Sequence, residues 1–318
     1  MSSPFLSNRA PVCPPDLLAR AAAFPPPRVA VARAGASLPM QAAYDATQAG
    51  LMVPVFTGEK VAIEREAVAL GWDISGFELV EAAGEEEAGA AAAHLCGSGH
   101  ADVMMKGHLH TDVFMKSALS REAGLRTGNR FVHLFHLSHP DGGRPLLVSD
   151  GAVNVAPNME TRHDAIRAMV SLLHMLGTPL PKIAILSATE SPLPSVPSAL
   201  EGRELAEWAR DNVADAQVSG PLALDLILSQ EAARIKGLSD DPVAGQADGI
   251  IVPDVVSGNV LFKSLVYLSG ACAAGVVLGA RVPLLLTSRA DPPAARLASV
   301  ALAGIIAGTA DYGPESAR

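Results

Sequence analysis

Cysteine is scarce. Cys13, Cys96 and Cys272 are the whole complement, far apart, odd in number and in no CxxC spacing. That excludes a disulfide framework and a zinc knuckle and fits a reducing, cytoplasmic setting. Positive charge is also in deficit, with 24 Lys+Arg against 33 Asp+Glu and a net charge of −9. Such a balance argues against nucleic-acid or anionic-membrane partners, and an anionic small ligand would need a local basic pocket. Long apolar runs are missing as well: a membrane helix needs about 18 uncharged apolar residues, and the best candidate, 271–286, is broken by Arg281 and Pro283. No transmembrane helix is expected, and no apolar signal core precedes Pro11.

Several chemical signatures are absent too. Gly97-Ser98-Gly99-His100-Ala101-Asp102 starts like a dinucleotide fingerprint, but it has Asp in place of the third Gly and precedes a strand rather than a helix. Gly58-Glu59-Lys60 lacks the spacing of a P-loop, and there is no GxSxG, HExxH or EF-hand loop. His108 and His110 share a face if extended, while His133, His136 and His139 alternate faces. No carboxylate cluster or cysteine accompanies them, so no metal site is expected.

What is present is a chain of 318 residues, 49% hydrophobic, enough for a substantial core and about two domains. Residues 1–27 are Pro-rich and read as a tail leading into a short helix. From residue 28 strands and helices alternate: strands at 28–34, 53–57, 77–80 and 101–106, helices at 37–49, 59–70 and 85–95. This rhythm predicts an α/β fold with a largely parallel sheet. His139-Pro-Asp-Gly-Gly-Arg144, between the runs 131–137 and 145–148, predicts an antiparallel hairpin. The rhythm then restarts: a helix at 160–176, a strand at 182–188, a helix at 198–212, a break at Ser219-Gly220-Pro221, a strand at 249–253 and a turn at Ser257-Gly258-Asn259. The expected division is a domain of 28–127 with 278–318 and a second of 128–277.

Two strand ends carry polar clusters. Thr287-Ser288-Arg289-Ala290-Asp291 follows a short apolar strand and precedes an Ala/Leu-rich helical run, 294–307, with Asp291 placed as N-cap and proline at the first helical position. A strand feeding a helix N-terminus offers free N–H groups and a positive dipole end, and Arg289 adds a planar fork for phosphate or carboxylate. Capping alone would also explain Asp291. The second cluster is Lys106-Gly107-His108-Leu109-His110-Thr111, leading into a helix that contains Lys116. Asp254, Gly258 and Asn259 sit at a third strand end, where turn-making and substrate contact are equally consistent. Asp150 and Asn154 fit Asx turns.

Met105-Lys-Gly-His-Leu-His-Thr-Asp-Val-Phe-Met-Lys116 resembles the phosphate acetyl/butyryltransferase family, as do Leu147 to Asn154, Ser219 to Asp225, Asp241 to Asp248, Val252 to Asn259 and Thr287 to Asp291, all in collinear order. The His-Leu-His-Thr form is most similar to the phosphate acetyltransferase part of bifunctional enoyl-CoA hydratase/phosphate acetyltransferases, and the Pro-rich start then reads as the remnant of such a junction.

The resemblance implies two α/β/α domains of the isocitrate/isopropylmalate dehydrogenase-like type, a cleft between them, a homodimer, and acyl transfer between coenzyme A and inorganic phosphate with no cofactor. Acetyl is the default acyl group, with butyryl the other. It assigns Ser288, Arg289 and Asp291 to catalysis and Lys116 to phosphate or CoA, for which the strand-end positions make Lys106, Gly107, His110, Thr111, Asp254, Gly258 and Asn259 the further binding candidates. Lys116 takes the place of an arginine in the acetyl branch, and Ala295 the place of an aspartate. The alternatives are an NAD- and metal-dependent hydroxy-acid dehydrogenase of the same fold and a non-catalytic CoA- or acyl-phosphate-binding module. Asp225, Asp240, Asp241 and Asp248 are not arranged as the dehydrogenase's metal cluster.

Overall fold

The computed structural model describes residues 3–286, 288 and 290–309. The chain forms two compact units interleaved in sequence: one built on Pro11–Asn129 and the stretch from Ala274, the other on Arg130–Ala273 with the residues up to Ala10.

The first unit opens with α1 (Pro15–Ala21), β1 (Arg28–Ala32), α2 (Ser37–Gln48), β2 (Val53–Gly58), α3 (Lys60–Ala69), β3 (Glu78–Glu81), α4 (Gly84–Gly97), β4 (Val103–Lys106) and α5 (Thr111–Leu119). β1 and β4 are nearly continuous Val/Ala and Val/Met runs, buried along most of their length, as strands covered on both faces must be. β2 pairs with one side of β1 and β3 with β2, while β4 pairs with the other side of β1, all parallel. The chain therefore walks outward from β1 and then crosses back. Between β1 and β4 the strand order reverses, and in such sheets a crevice opens beyond the carboxyl ends at this point.

The second unit contains β5 (Val132–Ser138), β6 (Leu146–Ser149), α6 (Met159–Met175), β7 (Lys182–Leu186), α7 (Pro197–Asn212), β8 (Gln217–Leu222), α8 (Leu224–Leu228), α9 (Gln230–Ile235), β9 (Gly249–Ile251) and α10 (Val255–Ser269). Its strand order is β5-β6-β9-β7-β8, with the expected β5–β6 hairpin antiparallel and the remaining pairs parallel. Two sequence expectations fail here. Ser219-Gly220-Pro221 is no break but the middle of β8. That strand ends the row, where a missing proline N–H costs no ladder bond, and the register with β7 shifts between Ala184 and Leu186 to accommodate it. Nor is Ser257-Gly258-Asn259 a turn. α10 already runs through it from Val255, capped by Asp254. A Cβ on Gly258 would stand 2.4 Å from the carbonyl oxygen of Asp150, so glycine is there for close helix packing.

The chain returns to the first unit through β10 (Cys272–Leu278), β11 (Leu284–Leu285) and α11 (Pro293–Gly308). β11 pairs parallel with β4 and antiparallel with β10, so this unit's order is β3-β2-β1-β4-β11-β10. α11 is buried along most of its length, Ala295 and Ala298 to Ile306 included, as a helix apolar on all sides must be. The Pro-rich start, expected as a tail, is divided and packed. α1 lies on α11 with Leu17 and Ala21 buried, while Ser7 donates its N–H to the Tyr267 carbonyl at 2.8 Å in the second unit.

Candidate active site

Three adjacent parallel strands, β1, β4 and β11, end together. Ala32 stands opposite Lys106, and Leu285 opposite Met105. The two polar corners read from the sequence therefore leave neighbouring strands at the same edge. Gly107 makes this possible for the β4 loop: a Cβ there would lie 2.3 Å from the Ala32 oxygen and 2.6 Å from the Arg33 oxygen. Its N–H donates to Ala32 and the N–H of His108 to Arg33, both at 2.9 Å. Arg33 itself is engaged with Glu59 and Glu85 at 3.2 Å each. Glu85 in turn accepts the N–H of His110 and meets its Nδ1, both at 2.8 Å, and these bonds hold its carboxyl below the usual carboxylate range. His110, expected to bind ligand, thus has one ring nitrogen taken by a carboxylate.

At the second corner Thr287 and Arg289 lie outside the described residues, while Ser288 and Asp291 are within them. Asp291 is not the N-cap. That position is Pro292, which makes no side-chain cap, with Pro293 as the first helical residue. Asp291 thus stands one residue outside the cap position, and its carboxylate turns back to a nearer donor. Asp291 Oδ2 accepts the Ser288 N–H at 2.7 Å, and the Asp291 N–H donates to the Ser288 carbonyl at 3.1 Å. One of the N–H groups expected to be free at this corner is therefore already used. The Ala290 N–H reaches Ser288 Oγ at 3.3 Å. One turn into α11, Arg296 donates through Nη1 to the Asp291 carbonyl. Arg296 is only 6% exposed, and its Nε has no partner among the described residues.

A cavity of about 220 Å³ opens at the β1–β4 reversal, lined among others by Ser37 and Leu38 of α2, Lys106, Gly107 and His108 of the β4 loop, and Arg296. Sequence reasoning missed two contributors. Ser37 was legible only as a helix start. Arg296 carried a signal, since it is the one charge in the apolar run 294–307 and so had to be either a surface exception or a buried cation.

The remaining expected residues lie elsewhere. Thr111 opens α5 and is exposed; Lys116, also exposed, is five residues on, about 140° around the helix and on the face of Asp112 instead. Asp254, Gly258 and Asn259 belong to the other unit. Asp254 Oδ1 accepts from the Ser257 N–H at 2.8 Å and Oγ at 3.1 Å, and Asn259 Nδ2 donates to the Gly151 carbonyl at 3.0 Å. Nearby, the buried Asp150 carboxylate gathers N–H groups from Ala152, Val153 and His133 and the Asn154 amide at 2.8–3.1 Å. Among the described residues no group of three or more His, Cys, Asp or Glu is placed to hold a metal.

A doubly wound α/β unit with polar loops at the carboxyl ends of its strands, around a strand-order reversal, is the architecture of ligand-binding α/β enzymes. The profile described as phosphate acetyl/butaryl transferase matches residues 86–303. Phosphate acetyltransferase of Rhizobium meliloti is 38% identical over 292 residues, 92% of each chain. Phosphate butyryltransferase of Clostridium acetobutylicum is 35% identical over 282 residues, 88% of this chain and 93% of that one. Among solved structures, a branched-chain phosphotransacylase from Enterococcus faecalis is similar at a TM-score of 0.77 and 29% identity, covering 87% of this chain and 98% of its own. A 4-hydroxythreonine-4-phosphate dehydrogenase from Klebsiella pneumoniae, at 0.55 and 11% identity over 88% and 99% of the chains, shares the fold alone. The chain belongs to the phosphate acetyl/butyryl transferase family. It is an acyltransferase that moves an acyl group between coenzyme A and phosphate.

Proposed function

We propose that acetyl is the acyl group transferred and that the chemistry takes place where the β4 and β11 loops leave the sheet. The observation carrying this reading is the parallel pairing of β4 with β11, which sets Lys106 and Ser288 on neighbouring strand ends. In the acyl-phosphate-forming direction a phosphate oxygen attacks the thioester carbonyl. A C–O bond forms, the carbonyl oxygen takes the negative charge, and collapse expels the CoA thiolate. The Ser288 hydroxyl donates to that oxyanion, the type of interaction whose loss costs about 3 kcal/mol in acyl-transfer sites. Lys106 and Arg289 hold the phosphate against its own charge and bring it to the carbonyl. Asp291, bound to the Ser288 N–H, sets the turn that presents the hydroxyl. Gly107 lets the β4 loop lie on the end of β1, and His110, tied to Glu85, fixes where that loop enters α5. Thr111 and Lys116 contact the CoA side of the substrate from α5. Asp254, Gly258 and Asn259 act through the helix start they build.

Coenzyme A is substrate and product in this scheme, and no cofactor is invoked. Assembly as a homodimer is favoured by the exposed Val256, Val260 and Tyr267 on one face of α10. A cytoplasmic setting is favoured by the three buried free thiols, and no helix among the described residues is long and apolar enough to cross a membrane. The choice of acetyl rests on the Rhizobium meliloti relative. Phosphate-dependent thiol release from acetyl-, propionyl- and butyryl-CoA tests it: kcat/KM should be highest for acetyl, and a maximum at butyryl would reject it.

A further inference from the structure

We propose that the cavity between α2, the β4 loop and α11 is a phosphoryl-binding subsite whose buried cation is Arg296. The inference rests on placing the active site at these strand ends. α2 is twelve residues long, and its N-cap residue, Ala36, supplies no side-chain cap. The N–H groups of Ser37 and Leu38, like those of any first helical turn, have no acceptor within the helix. Neither has one elsewhere among the described residues, and both residues line the cavity. A positive helix end therefore faces a concave space with its donors unused.

Arg296 is the independent observation. It lines the same cavity, is 6% exposed and forms no ion pair among the described residues, where its one hydrogen bond runs from Nη1 to the Asp291 carbonyl. Its Nε is buried without a partner. A guanidinium removed from water and left without a counter-charge is strongly unfavourable unless an anion completes it. Arg33, the other nearby arginine, is already neutralised by Glu59 and Glu85. Among the described residues no acidic side chain lines the cavity, and Lys106 lines it as well. Two helix amides and a guanidinium lining one space match a tetrahedral dianion with several acceptor oxygens better than a planar, singly charged carboxylate. In a chain of net charge −9, such a pocket is where an anion gains most.

The phosphoryl group could be that of free phosphate or acyl phosphate, or one carried by CoA. Two variants separate these from a structural arginine. Arg296→Met removes the cation. Ser37→Asp adds a carboxylate at an exposed first-turn position, where it favours the helix while repelling an anion, and so stays folded even if Arg296→Met does not. Inorganic phosphate binding is measured by calorimetry, and KM values are measured for phosphate, CoA and 3′-dephospho-CoA. A rise of about tenfold or more in phosphate Kd and KM assigns the pocket to free phosphate. An unchanged phosphate KM with a similar loss of preference for CoA over 3′-dephospho-CoA assigns it to CoA, and either supports the proposal. Unchanged Kd, KM and CoA preference in folded Ser37→Asp protein would overturn it. Full turnover by Ser288→Ala would refute the active-site placement separately, without affecting the calorimetric reading.

Discussion

Asp291 and Arg296 hold one corner from two directions, carboxylate onto the Ser288 N–H and guanidinium onto the Asp291 carbonyl. The turn at Ser288 is thus fixed from both sides by side chains of the α11 entry. Elsewhere a different pair of residues sets the pH response. His136 on β5 is buried, and its pKa is pushed down to about 4; burial also lowers His133, outweighing the nearby Asp150 charge. Both are neutral when folded, but they take up protons near the ordinary value, about 6.5, once unfolded. Below that value the unfolded state binds more protons, so stability is full above it and falls as pH drops toward 4, by on the order of 3 kcal/mol for a histidine shifted this far. Urea unfolding at pH 7.5 and 4.5 should show a smaller loss for His136→Phe than for the wild type. Parallel losses would contradict this reading of the buried ring.

At the scale of elements, α10 shows how one helix misleads a reader of sequence and still offers a prediction. Ser257-Gly258-Asn259 has turn composition, yet the helix runs through it because Asp254 caps the start and Gly258 is needed against the Asp150 carbonyl. β8 misled for the opposite reason, since Gly220-Pro221 is tolerated only because that strand lies at the end of the row. One face of α10 carries Val256, Val260 and Tyr267, all exposed and within about 40° of one another around the helix, with the exposed Lys263 beside them. Exposed apolar side chains grouped on one helix face, rimmed by charge, mark an association surface. Sedimentation equilibrium should give the mass of two chains for the wild type and of one for Val260→Glu, with the fold retained by circular dichroism. A wild-type mass of one chain would remove the homodimer.

For the whole molecule, the alternation of strands and helices, the hairpin and both polar strand ends were legible, because periodicity and turn chemistry are local. What local patterns could not give was adjacency. That β11, remote in sequence, lies beside β4 follows from a pairing written only in the packed sheet. Arg296 gained meaning only once α11 proved buried, and α2 contributed to the cavity because the strand order reverses beside it. The Asp291 capping assignment failed because α11 starts one residue later than expected, at Pro293, which puts Pro292 at the cap position and Asp291 outside it.

The central claim, that acyl transfer occurs at the β4 and β11 loops with Ser288 donating to the oxyanion, is tested most directly by thiol release from acetyl-CoA on adding phosphate, in wild type and Ser288→Ala. The account predicts phosphate-dependent release by the wild type and a kcat lower by about 100-fold in the variant, with its melting temperature unchanged. Release by Ser288→Ala at the wild-type rate would contradict it.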